Sequence, residues 1–127
     1  MKNLFCIFIL FMLIIPLNNT YSSGKDELYK PFAQVMPEPN DGIENVYARI
    51  KYPSEAQKAG VQGKVYLLIY INENGDVDDV KVLKGIGAGC DEAAVNAIKE
   101  TKFNPGKDNG VAIKVKLSLA ITFKLTS

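Results

Sequence analysis

The chain has 127 residues, 15 Lys and Arg against 14 Asp and Glu, no histidine and two cysteines. That length gives room for one domain with one core, and a net charge of +1 lacks the basic footprint that supplies most affinity for nucleic acid or anionic membranes. Without histidine no Ser/His/Asp or Cys/His constellation can be built; no carboxylate pair sits where both would line a cleft, so the chain reads as a non-enzyme with no cofactor and no metal.

Lys2 and Asn3 precede an apolar run from Leu4 to Leu17, fourteen residues long, where a membrane span needs about 20. Small residues at Thr20 and Ser22 suit a signal peptidase, so residues 1–22 are read as a secretory signal. The rival is an uncleaved inner-membrane anchor facing the periplasm. A cut after residue 22 leaves 14 basic residues against 14 acidic ones and Cys90 as the only cysteine, so no internal disulfide can form and packing must supply stability.

Residues 23–42 are rich in Ser, Gly, Lys, Asp, Pro and Asn and read as a linker, with one short strand at Phe32-Ala33-Gln34-Val35-Met36. The domain proper is expected over 43–127. Asp41 is placed to cap a helical turn in which Ile43, Val46, Tyr47 and Ile50 recur at helical spacing, and Pro53 stops it. Ser54 to Ala59 fits a second short helix, with Ser54 as its cap and Gly60 as its left-handed exit.

From Gly63 the period becomes two: Val65, Leu67, Ile69 and Ile71 share one face, Lys64, Tyr66, Leu68 and Tyr70 the other. The Asn74-Gly75 pair predicts a tight hairpin to a partner strand carrying Val77, Val80 and Val82. Val77 and Val80 are an odd number apart, so sharing a face requires a bulge at Asp78-Asp79. Asn72, Asn74, Asp76, Asp78 and Asp79 lack the glycine and distal glutamate spacing of a calcium loop, and a hairpin turn explains them better.

Gly85, Gly87 and Gly89 form a connector with no phosphate-loop spacing. Cys90, Ala93, Ala94, Ala97, Ile98 and Thr101 then recur at helical spacing, with Asp91 and Glu92 in the first turn and Lys99 and Lys102 in the last. Cys90 at the head of that face reads as a small buried residue rather than a redox thiol. After Phe103-Asn104-Pro105-Gly106, the positions Val111, Ile113, Val115, Leu117, Leu119, Ile121, Phe123 and Leu125 alternate with Ala112, Lys114, Lys116, Ser118, Ala120, Thr122 and Lys124. This predicts one long strand with a buried and a wet face.

A strand, helix, strand connection returns in its starting direction, so the last strand should run parallel to the second and pair antiparallel with the first. The expected architecture is α+β: a three-stranded antiparallel sheet in the order second, first, last, with helices on one face. The last strand is then a long edge with unpaired N–H and C=O groups. Phe32 to Met36 folding back over that edge as a lid is the competing use of it.

Tyr52-Pro53, Ala56, Gly60-Val61-Gln62-Gly63-Lys64-Val65, Asn74-Gly75-Asp76-Val77, Val80-Lys81-Val82-Leu83, Ala93-Ala94, Ala97, Phe103-Asn104-Pro105-Gly106 and Ile121-Thr122-Phe123 together resemble the TonB C-terminal domain family over roughly residues 43–125. Gly85-Ile86-Gly87 and the closing Phe123-Lys124-Leu125 are similar to the TonB-like energy transducers of Bacteroidetes-like bacteria. The resemblance implies a periplasmic module that grips the TonB-box strand of TonB-dependent outer-membrane receptors, or a segment of another envelope protein, by strand addition. An intact anchor would imply the ExbB–ExbD motor as a further partner. The candidate partner-binding residues are Tyr52, Pro53, Val111, Ile113, Val115, Leu117, Leu119 and Ile121. For Tyr52-Pro53 a role in sealing the end of the core is weighed beside partner contact. The alternative function is a structural module of the envelope that binds cell wall or associates with itself as a homodimer.

Overall fold

The computed structural model describes residues 24–126, so the expected signal or anchor over 1–22 lies outside it. In chain order the elements are α1 (Gly24–Leu28), β1 (Glu38–Pro39), α2 (Ile43–Arg49), α3 (Ser54–Ala59), β2 (Gly63–Ile71), β3 (Val77–Lys84), α4 (Cys90–Lys99), β4 (Phe103–Asn104), β5 (Gly106–Asp108), β6 (Val111–Ile113) and β7 (Val115–Phe123). Among the described residues no helix is long and apolar enough to cross a membrane.

The central sheet has the order β3-β2-β7. Both neighbours run antiparallel to β2, so β3 and β7 are parallel to each other, as the crossover rule requires. Period-two alternation puts Val65, Leu67, Ile69 and Ile71 of β2 on the helix side, where they are fully buried with Val46 of α2, Ala56 of α3, and Cys90, Ala94 and Ile98 of α4. Helix α4 lies across β3 and β2. On the same side of β7, Leu117 and Leu119 are only half-buried.

The hairpin between β2 and β3 turns through Asn72–Asp76, with the Gly75 N–H bonding the Asn72 C=O at 3.0 Å and Gly75 at φ +83°. That is a turn closed by a left-handed residue, the reason for its Asn-Gly pair. The register slips between Tyr70↔Asp79 and Ile71↔Val77, which makes Asp78 the extra residue where a bulge was expected. A second slip, between Tyr66↔Lys84 and Leu67↔Val82, bulges Leu83; no parity argument in the sequence required it.

Several expectations are corrected. The alternation from Val111 to Leu125 is not one strand. Val111 and Ile113 lie in β6, which pairs with β5 through Asp108↔Val111 and Gly106↔Ile113, and only from Val115 does the chain join the central sheet. The cause is the Asn109-Gly110 turn, both residues at positive φ (+51° and +77°), which folds β6 onto the nearer partner β5. Asp41 does not cap α2: the N-cap is Gly42, and the Asp41 carboxylate is taken by Arg49, which holds it below the usual carboxylate range. Ser54 is the first helical residue of α3 rather than its cap, Pro53 preceding it in extended conformation. Gly60 makes the expected left-handed exit at φ +71°.

Residues 24–42 are no free linker. Tyr29 is 5% exposed, β1 pairs with β4 through Pro39↔Phe103, and isolated bridges join Lys30 to Val115 and Val35 to Lys107. The stretch Phe32 to Met36 therefore lies against β5, not along β7, and Phe32 remains 80% exposed. The lid expected from that stretch is absent from the β7 edge.

Candidate functional site

In an extended strand the N–H and C=O of one residue point to the same side, and successive residues alternate. The Lys116 N–H donates to the Lys30 C=O at 3.0 Å and the Thr122 N–H to the Tyr47 hydroxyl at 3.2 Å, both away from β2. The even-numbered residues of β7 therefore face outward, and the odd-numbered ones face β2, in the register Ile71↔Val115 to Gly63↔Phe123. Between the two capped positions, Ser118 and Ala120 turn their N–H and C=O groups away from β2, and among the described residues no backbone or side-chain partner takes them. With about 3.4 Å per residue, the stretch between the capped positions, from Leu117 to Ile121, offers roughly 14 Å of open strand edge.

Side chains frame this row on both faces. On the helix side stand Leu117 and Leu119, half-buried. On the opposite face Tyr66, Leu83, Ser118 and Ala120 line a hollow of about 300 Å³ whose wall also includes Leu67 and Leu119 of the paired strands. Tyr66 and Leu83 are 42% and 57% exposed. The small residues Ser118 and Ala120 sit directly across from Leu68 and Tyr66, so nothing bulky on β7 screens those apolar side chains from a strand laid alongside. The site is an edge with main-chain valences in the middle and apolar surface to each side.

At the other end of the open face the segment 24–31 packs down. Tyr29 meets Tyr70 edge-on, ring centroids 5.1 Å apart, and its hydroxyl donates to Asp78. The Tyr70 hydroxyl donates to Asp26, whose carboxylate also lies 3.8 Å from Lys81 and 4.0 Å from Lys116. Burial, and then the Asp78 carboxylate, push the Tyr29 phenol from 10.0 up to about 12. The fold thus favours the protonated phenol. Its contribution is complete below pH 10 and is lost as pH rises through about 12. An alkaline titration of tyrosinate absorbance should therefore contain a late-ionising component that shrinks in Tyr29→Phe. Superimposable wild-type and variant curves would contradict this.

The sequence-predicted residues divide. Val115, Leu117, Leu119 and Ile121 lie in β7, but as inward-bonding members: Val115 and Ile121 are fully buried, while Leu117 and Leu119 flank the edge. Val111 and Ile113 belong to the separate β5–β6 hairpin and contribute nothing to this row. Tyr52 packs edge-on against Phe123 at 5.3 Å, its hydroxyl donates to the Val61 C=O, and burial raises its ionisation above the ordinary tyrosine value. Pro53 abuts Gly89, where an added Cβ would stand 3.2 Å from the ring. That pair seals the end of the core where β7 finishes. Ser118 and Ala120 were overlooked, although the signal was there: two small residues in succession on the wet face of an edge strand.

Comparison with known proteins gives a consistent result. The family described as "Gram-negative bacterial TonB protein C-terminal" matches residues 48–125. The chain is 37% identical over 76 residues to "Protein TonB" of Xanthomonas campestris pv. campestris (strain B100), covering 59% of this chain and 34% of that protein. It is 33% identical over 76 residues to "Protein TonB" of Vibrio cholerae serotype O1, covering 59% and 31%. The chain thus spans about a third of the length of the curated relatives it matches. The NMR solution structure of Helicobacter pylori TonB-CTD superposes with a TM-score of 0.54 at 29% identity, covering 66% of this chain and 89% of that one. The Pseudomonas aeruginosa TonB CTD is similar in fold, with a TM-score of 0.51 at 24% identity over 72% of this chain and 88% of that one.

Proposed function

The chain belongs to the family of Gram-negative bacterial TonB protein C-terminal domains, and from that premise we propose that its β7 edge receives an extended segment of an outer-membrane receptor, or of another envelope protein, by strand addition. The module is a periplasmic binding element of energy-coupled transport rather than a catalyst, exported by a signal at 1–22 or held by an anchor there. The observation that carries this reading is the row of solvent-facing main-chain groups at Ser118 and Ala120, bracketed by two outward N–H groups that already have partners. An extended peptide supplies complementary groups at the same spacing. Leu117 and Leu119 on one face and Tyr66 with Leu83 on the other offer apolar contact to its alternate side chains.

Titrating the isotope-labelled chain with TonB-box peptides tests this. The amide resonances of Ser118 and Ala120 are expected to move most, with those of Val80 and Lys81 on β3 unmoved. Saturating peptide without a shift at either β7 amide would sink the reading. The alternative, self-association through the same row, predicts instead a sedimentation coefficient that rises with protein concentration in the absence of peptide.

A further inference from the structure

The β7 edge is not equally open along its length. At its start, Lys30 runs parallel to it and makes both bonds of a strand pair: its N–H donates to the Lys114 C=O at 2.9 Å and its C=O accepts from Lys116 at 3.0 Å. These are the groups an incoming strand would need if it were to pair beyond Ser118 toward Val115. We propose that residues 24–31 form a strap that competes with the incoming strand for this end of β7. A visitor then pairs first at Ser118 and Ala120 and extends only when Lys30 lets go. The proposal rests on the strand-addition reading and adds a regulator to it.

The strap is built to be held weakly. Its anchors are mostly polar: Tyr70 to Asp26, Asp26 beside Lys81 and Lys116, Lys30 at 3.7 Å from Asp108, and the Lys114 ammonium 5.7 Å above the Tyr29 ring. Half-exposed ion pairs of this kind each hold little. Among the residues of the strap whose burial is described, Tyr29 alone is buried, while Leu28 and Phe32 on either side of it are 63% and 80% exposed. A segment with one buried anchor and exposed neighbours opens at low cost while the sheet beneath stays folded.

Two variants of the full chain test the strap. Asp26→Ala removes the acceptor for Tyr70 and the partner of Lys81 and Lys116; Lys30→Pro removes the donor to Lys114 without touching the core. In the peptide-free chain, either variant should speed hydrogen exchange at the Lys116 amide while leaving the Leu67 and Ile69 amides protected. If the strap covers this end about nine-tenths of the time, its release should tighten TonB-box peptide binding by about tenfold. Unchanged affinity in a variant whose Lys116 amide exchanges freely would overturn the strap as a competitor and leave strand addition standing. Because proline keeps the carbonyl that accepts from Lys116, the two changes are also combined: continued protection of Lys116 in the Asp26→Ala, Lys30→Pro double variant would overturn the strap as the cover. No binding to wild type or variant would end strand addition, and the strap's role with it.

Discussion

Ser118→Pro is expected to weaken TonB-box peptide binding by about thirtyfold or more, roughly 2 kcal/mol, while the domain stays folded. Proline has no N–H and its ring projects from the nitrogen, so the change deletes one donor of the open row and puts three carbons in the path of a visiting strand. The same change is tolerable to the fold because the Ser118 N–H faces solvent, the one situation in which a sheet edge accepts proline. Leu119→Pro is the contrasting control. Its N–H belongs to the row facing β2, opposite Leu67, and losing it should cost about 3 kcal/mol or more of stability. Urea melts and peptide titrations of the two variants separate these effects. If Ser118→Pro bound peptide as the wild type does, the edge would not be the docking row.

Gly75→Ala is expected to destabilise the chain by about 3 kcal/mol, more than any other glycine-to-alanine change in the turns. Two costs coincide there. Gly75 has φ +83°, and an added Cβ would lie 1.9 Å from the Phe103 carbonyl oxygen, a backbone atom that cannot swing aside. The Phe103 N–H also donates to the Gly75 C=O at 2.9 Å, so retreat of the hairpin would break the link between the β2–β3 turn and β4. Gly60 isolates the first cost: its φ is +71° but nothing lies within 4 Å of an added Cβ, so Gly60→Ala should cost only about 1 kcal/mol. Equal denaturation midpoints for the two variants would show that the steric argument fails.

Much of the fold was legible because it rests on periods that one partner satisfies. The alternation in β2, the helical recurrence from Cys90 to Thr101 and the odd spacing of Val77 and Val80 each allow one solution, and the sheet order follows from the handedness of the crossover. The alternation from Val111 to Leu125 allowed two solutions, since period two says that a residue is in a strand and not which strand it joins. The deciding signal was Asn109-Gly110, the same dipeptide already used at Asn74-Gly75 to place a hairpin. The helix α1 had no such signal: five residues, Gly24-Lys25-Asp26-Glu27-Leu28, hold no apolar period, and Tyr29 is a single aromatic in a polar stretch. The site was half legible for a different reason. Hydrophobic pattern selects the residues whose side chains are buried, whereas pairing capacity belongs to the backbone, whose groups point in the plane of the sheet and at right angles to those side chains. A list drawn from pattern therefore named Leu117 and Leu119 and passed over Ser118 and Ala120.

The two bulges of β3, at Asp78 and Leu83, bear on what happens when such molecules crowd together. They distort the far rim of the sheet, where Lys81 and Lys84 add charge, and so spoil it as a template for docking. Of the two rims of the central sheet, the β7 side is left as the regular one. Two copies joining through it would satisfy one another around a dyad, and the distorted β3 rim of each would offer a poor template for extending that sheet to a third.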